Sequence, residues 1–120
     1  MLFKHDDYWK QANCDTILTI HNGAFQGIFS KKSVPSLISK LGTSHPNYEH
    51  DVVNFLKLGI VFAGRVVAVS PNYAQELLTE LGSHHLFDIF QQVKHKTSGI
   101  LNGCDYKDWS PEQDQLIHTP

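Results

Sequence analysis

Apolar residues in this chain fall into short runs separated by Gly, Pro, Asn and Ser, the residues that most often punctuate secondary structure. Residues 16–20 (T-I-L-T-I) form a compact β-branched run that stops at His21-Asn22-Gly23, which predicts a buried strand with a turn behind it. Residues 4–12 mix aromatic and charged side chains and suit the tail of a helix. Residues 26–46, rich in Ser, Gly, Lys and Pro, read as loop with a short helix near 36–41. Beyond them, Val52, Phe55, Leu56, Gly59, Ile60 and Ala63 recur at helical spacing. Asp51 is the expected N-cap and Gly64 the terminator.

Residues 65–69 (R-V-V-A-V) predict a second strand, apolar enough to be covered on both faces. Ser70-Pro71 then opens a helix, with the serine as cap and the proline in the first turn. Its amphipathic stretch is expected over 73–81, ending at Gly82. A further helix is predicted through 86–93, and a third short strand over 98–101 before Asn102-Gly103. Residues 104–120 are polar and read as an exit segment. Strands alternating with helices imply an α/β fold, a parallel sheet with covering helices. Three strands are few beside the five or six, about, of a complete doubly wound domain, so the pattern reads as a partial Rossmann-like unit.

Bulk properties change this picture little. A chain of 120 residues fits one domain, with 41% hydrophobic and 18% charged residues. The net charge of -2 and the lack of any Lys/Arg block remove the electrostatic basis for nucleic-acid binding. Apolar runs such as 59–64 fall far short of the roughly 20 residues a membrane helix needs, so no membrane association is expected. Lys4, His5, Asp6 and Asp7 break up any leader-like stretch at the N-terminus. Cys14 and Cys104 lie far apart without CxxC spacing, which points away from a disulfide framework or zinc knuckle and toward a cytoplasmic location.

Candidate chemistry gathers at strand ends, because in open α/β sheets ligands sit beyond the carboxyl ends of the strands. His21-Asn22-Gly23 follows the first strand and Asn102-Gly103 follows the third. Turns favour Asn, Gly and Ser in any case, so the pattern alone leaves a ligand site and ordinary turn chemistry both open. Eight histidines raise a metal question. His84, His85 and His95, with His45 or His50, have no HxxxH or similar spacing, so no metal site is expected. Cys104 has no base at motif spacing to make it a nucleophile. Trp109 reads as an anchor for the exit segment rather than a sugar platform.

Four segments carry a family resemblance. T-I-H-N-G-A-F-Q-G at 19–27, N-F-L-K-L-G-I at 54–60, V-S-P-N-Y-A-Q-E at 69–76 and S-G-I-L-N-G-C-D-Y-K-D-W-S-P-E-Q-D at 98–114 resemble, in order, four motifs of bacterial glycogen synthases and plant starch synthases. The resemblance implies a GT-B fold of two Rossmann-like domains. It also implies metal-independent, retaining transfer of glucose from ADP-glucose to the non-reducing end of an α-1,4-glucan, with no cofactor beyond the donor. His21 would lie beside the glucosyl unit, its carbonyl and ring stabilising positive charge at the anomeric carbon. Asn102 would lie at the cleft near the donor sugar, with Gly103 keeping the turn tight. Asn22 and Gln26 would chiefly shape the loop.

On this resemblance residues 1–120 correspond to the second half of the N-terminal domain. The family's K-x-G-G-L loop, its H-D-W segment and its second domain have no counterpart in the sequence, although His5-Asp6-Asp7-Tyr8-Trp9 superficially resembles the H-D-W segment. The resemblance implies that the lysine of that loop and an Arg and Lys of the second domain meet the charge of the departing diphosphate, so the chain without them is expected to be inactive alone. Within the matched region, Gly82-Ser83-His84-His85-Leu86 stands where the family usually has a glycine-rich stretch. Residues 41–50 lack the usual H-G-L-E-F-Y-G pattern, and Arg65 follows Gly64 where an acidic residue is usual. Two alternatives stay open: a non-catalytic chain that binds glucan, self-associates or pairs with a full-length synthase, and part of a transferase using UDP-glucose.

Overall fold

The computed structural model describes residues 14–36, 48–49, 51–112, 114 and 116–117. Three strands, β1 (Ile17–Ile20), β5 (Arg65–Ala68) and β6 (Thr97–Gly99), form a parallel sheet in the order β1-β5-β6. Ile20 pairs with Ala68 and Ala68 with Gly99, so all three carboxyl ends reach the same edge. Between β1 and β5 lies a second, antiparallel sheet, ordered β2-β4-β3: β2 is Ile28–Ser30, β3 Tyr48–Glu49 and β4 Val52–Asn54. Helices α1 (Phe55–Phe62), α2 (Pro71–Glu76) and α3 (Phe87–Val93) complete the described elements, with 3₁₀ turns at Lys31–Ser33 and Lys94–Lys96.

The core is one cluster. Ile20, Val66 and Ala68 of the sheet meet Ile60 and Ala63 from the α1 region, Ala74 and Leu77, and Leu86, Phe90 and Val93. Helices α1 and α3 pack together, and α2 lies on β6. Close approach explains two glycines of the four family-like segments. A β-carbon on Gly99 would fall 2.2 Å from the Ser70 carbonyl oxygen, so only glycine lets α2 begin where it does. Gly59, inside α1, faces Leu18 of β1, whose methyl would lie 3.3 Å from an added β-carbon.

Several sequence expectations need correction. The helix expected from Asp51 starts at Phe55, because Val52 and Val53 pair with β2 and β3 as the central strand of the small sheet. Its N-cap is Asn54, whose Oδ1 accepts the Lys57 amide at 2.9 Å. β2 lies within residues 26–46, whose composition predicts loop. The helix opened by Ser70 and Pro71 does form, with the Tyr73 amide donating to Ser70 Oγ at 3.0 Å. It ends at Glu76, however. The amides of Leu78 and Thr79 bond carbonyls three residues back, and Thr79 Oγ1 takes the Gly82 amide, tightening the chain into turns that leave Leu81 94% exposed.

Among the described residues β1 pairs only with β5, and its Ile17 is 70% exposed, so it is not the buried strand the sequence predicts. β5 runs between two neighbours, yet Arg65 is exposed. β6 begins one residue earlier than read and ends at Gly99, although the Ile100 amide still bonds the Ala68 carbonyl. Trp109 is 74% exposed and does not anchor the exit segment. The helices read at 4–12 and near 36–41 fall wholly or mostly outside the described residues.

Candidate functional site at the carboxyl edge of the parallel sheet

The residues after β1 fold back as a cap on α1. The first-turn amides of Phe55 and Leu56 donate to the carbonyls of Gly27 and Gln26, at 3.1 and 2.9 Å, and Lys57 donates to Asn54. A helix leaves four N-terminal amides without intrahelical partners, so three of the four at α1 are already occupied. Gln26 is half-buried. Its Nε2 donates to the His84 carbonyl at 2.7 Å, and its Oε1 accepts from Asn54 Nδ2 at 2.5 Å. Gly27 sits at φ +62°, the left-handed region that favours glycine, which lets the chain turn into β2.

The turn itself is pinned from α2. The amide of Gly23, a buried residue, donates to the Tyr73 hydroxyl at 2.7 Å, and Asn22 Oδ1 closes a local turn by accepting the Ala24 amide at 2.9 Å. A β-carbon at Gly23 would crowd His84 Cδ2 at 3.0 Å, and Leu77 and Tyr73 at 3.3 Å each. His21 and Asn22 are exposed at the end of β1, held by a tethered turn. Asn102 and Gly103 are exposed three and four residues beyond β6, and Gly103 has no neighbour within 4 Å of an added β-carbon. Its expected part in a tight turn is therefore not visible as close packing.

The parallel register puts both strand ends on one edge, with β1 and β6 flanking β5. Adjacent strands lie about 4.8 Å apart, so their ends are roughly 10 Å from one another. Beside this edge lies an open cleft of about 580 Å³ between the Ala24–Ile28 loop and the His84–Leu86 turn. Of the five sequence-predicted site residues, Gln26 lines it; His21, Asn22, Asn102 and Gly103 do not. Sequence reasoning missed Tyr73, Asn54 and His84 as supports of the turn. Tyr73 stands inside V-S-P-N-Y-A, and nothing local in that segment directs its hydroxyl to an amide 50 residues away.

Among the described residues no group of three or more His, Cys, Asp or Glu could hold a metal ion, and no helix is long and apolar enough to cross a membrane. Cys14 and Cys104 are both exposed. In the exit segment Ser110 Oγ donates to Glu112 Oε2 at 2.7 Å, and this bond holds the exposed Glu112 carboxyl below its ordinary range.

A parallel sheet with helices, polar strand ends on a shared carboxyl edge and a loop folded over a helix start define a portion of a Rossmann-like domain of the GT-B type. The starch synthase catalytic domain family model matches residues 1–92, and the chain belongs to that family. It is 42% identical over 117 residues to the glycogen synthase of Vibrio cholerae, covering 96% of this chain and 24% of that protein. With the glycogen synthase of Aeromonas salmonicida it shares 45% identity over 116 residues, 94% of this chain and 23% of the relative. The catalytic domain of starch synthase IV from Arabidopsis thaliana, solved bound to ADP and acarbose, superposes with a TM-score of 0.78 at 30% identity, over 94% of this chain and 24% of that one. The chain thus spans about a quarter of the length of the relatives it matches.

Proposed function

We propose that these residues form the donor-sugar wall of a retaining glucosyltransferase that moves glucose from ADP-glucose to the non-reducing end of an α-1,4-glucan in the cytoplasm. Residues 1–120 are the second half of its N-terminal domain. The observation that carries this reading is the shared carboxyl edge, where His21 follows β1 and Asn102 follows β6 while Tyr73 and Gln26 tether the turn behind His21.

In this reading His21 presents its carbonyl and ring to the anomeric carbon, where positive charge develops as the bond to the diphosphate lengthens. Asn102 faces the donor sugar, Gly103 shapes the turn beside it, and Asn22 and Gln26 hold the loop. No metal and no cofactor take part. Charge on the departing diphosphate is met by parts of such an enzyme outside the quarter that these residues match, so transfer needs that remainder. Electrostatic contributions of this kind are commonly worth about 3 kcal/mol each.

Replacing the matched segment of the Vibrio cholerae glycogen synthase with residues 1–120 tests the reading. The hybrid is expected to transfer glucose from ADP-glucose to glycogen, with UDP-glucose a much poorer donor. A folded hybrid with no transfer refutes the assignment, and a preference for UDP-glucose moves it to the UDP-glucose alternative.

A second reading, pairing with a full-length synthase or a second copy, is favoured by one observation. β1 has a single strand neighbour among the described residues, and Ile17 beside that outer edge is 70% exposed. Sedimentation of the chain at rising concentration separates the two: a lone monomer throughout argues against pairing.

A further inference from the structure

One short helix touches the segments that end both outer strands of the parallel sheet. α2 begins directly against β6: a β-carbon on Gly99 would collide with the Ser70 carbonyl oxygen and with Pro71 Cα. The same carbonyl accepts the Ala74 amide at 3.0 Å, and Ser70 Oγ accepts the Tyr73 amide at 3.0 Å. The first turn of α2 is thus fixed from within by its cap and from outside by the backbone of β6. Gly99 pairs in turn with Ala68, and Ala68 with Ile20, the last residue of β1. From that fixed turn the half-buried Tyr73 reaches the segment after β1, on the far side of β5, where its hydroxyl accepts the Gly23 amide at 2.7 Å.

What this bond holds is the backbone of His21. The Gly23 N–H belongs to the planar peptide group that follows Asn22, so an acceptor there sets the orientation of that plane. On the other side Ile20 is paired into the sheet. Only the φ and ψ of His21 and Asn22 lie between these two anchors. Asn22 is held further by its Oδ1, which accepts the Ala24 amide at 2.9 Å. The His21 carbonyl therefore has little freedom, although the residue is exposed. Gly23 is buried, and a buried amide deprived of its acceptor is costly, so removing the hydroxyl drives the turn to move.

We infer that the first turn of α2 is a brace between the ends of β6 and β1, and that Tyr73 is a positioning residue that holds His21 for glucosyl transfer. It acts through the peptide between Asn22 and Gly23. The inference rests on the transferase reading for the step it serves. In the Vibrio hybrid Tyr73→Phe is expected to lower kcat about tenfold, with KM for glycogen and for ADP-glucose within about twofold, as loosened placement of a reacting group does. When His21 is already alanine the same change should lower kcat about threefold or less, because both act on one device. Lys96→Met removes two hydrogen bonds to carbonyls at the end of α1 and serves as the structural control. It should lose at least as much stability and keep kcat within about twofold.

A second measurement needs no transfer. In the 120-residue chain, NMR order parameters at the His21 and Asn22 amides should fall in Tyr73→Phe and hold in Lys96→Met. Unchanged order parameters in Tyr73→Phe overturn the brace. An unchanged kcat in the Tyr73→Phe hybrid, an equal loss of kcat in Lys96→Met, or full additivity with His21→Ala overturns the positioning role. An unsubstituted hybrid that folds and transfers no glucose sinks the transferase reading instead, and the order parameters alone then decide whether the brace stands.

Discussion

The Tyr73 hydroxyl accepts the Gly23 amide at 2.7 Å, tying the first turn of α2 to the turn that presents His21. These residues are 50 positions apart, in two different motifs of the family resemblance. Two motifs that look independent in sequence are thus one structural device. Tyr73→Phe keeps the ring and removes the acceptor. It should cost about 1 kcal/mol in urea denaturation, the ordinary worth of a part-buried hydrogen bond. Amide exchange at Gly23 should quicken, while exchange in α3 stays unchanged after correction for stability. An unchanged Gly23 would mean the bond does not hold the turn.

Gly99 and Gly103 lie four residues apart in one motif and should behave oppositely. Alanine at 99 would push its β-carbon to 2.2 Å from the Ser70 carbonyl oxygen and 2.5 Å from Pro71 Cα, both rigid backbone. Gly99→Ala is expected to destabilise by about 2–3 kcal/mol, as overpacking does. Gly103→Ala meets nothing within 4 Å and should stay within about 0.5 kcal/mol of wild type. Any effect of Gly103→Ala on transfer in the hybrid then reports on the site and not on folding.

Lys96, in the 3₁₀ turn after α3, caps the carboxyl end of α1. Its Nζ donates to the Val61 and Ala63 carbonyls at 2.9 and 2.6 Å, two groups left over at a helix C-terminus. Lys96→Met preserves most of the aliphatic stem and removes both charge-assisted bonds. A loss of about 2 kcal/mol is expected by urea denaturation. A change below about 0.5 kcal/mol would show that water replaces the ammonium without cost.

His85→Gly should stabilise the chain. Relief of a left-handed non-glycine backbone returns about 1–2 kcal/mol, and the greater freedom of glycine in the unfolded chain takes back about 0.5–1 kcal/mol. The net gain is expected near 0.5–1 kcal/mol. A destabilised variant would show that the His85 side chain supports the fold.

The parallel sheet was legible because β-branched runs at 16–20 and 65–69 have no competing pattern, and because Ser70-Pro71 is an unambiguous helix start. The small antiparallel sheet was not. Val52-Val53 precedes an apolar helix without a break, so its strand residues were absorbed into a 3.6-residue period that begins only at Phe55. Asp51 is as good a cap by type as Asn54. What decides between them is the pairing of β4 with β2 and β3, a nonlocal fact. At the site, the strand-end rule points to His21 and Asn102 but not to the groups that tether the turn after His21. Tyr73 and His84 act through one hydroxyl and one carbonyl, reached only when the chain folds.

The central claim is that His21 and Asn102 face the donor sugar. Steady-state transfer from ADP-glucose to glycogen by the Vibrio hybrid, compared with its His21→Ala and Asn102→Ala forms, tests it most directly. His21→Ala should lower kcat by about a hundredfold or more with KM for glycogen little changed, and Asn102→Ala should lower kcat/KM for ADP-glucose, as expected for groups that stabilise developing charge. Folded variants that transfer glucose at the rate of the unsubstituted hybrid would contradict the account.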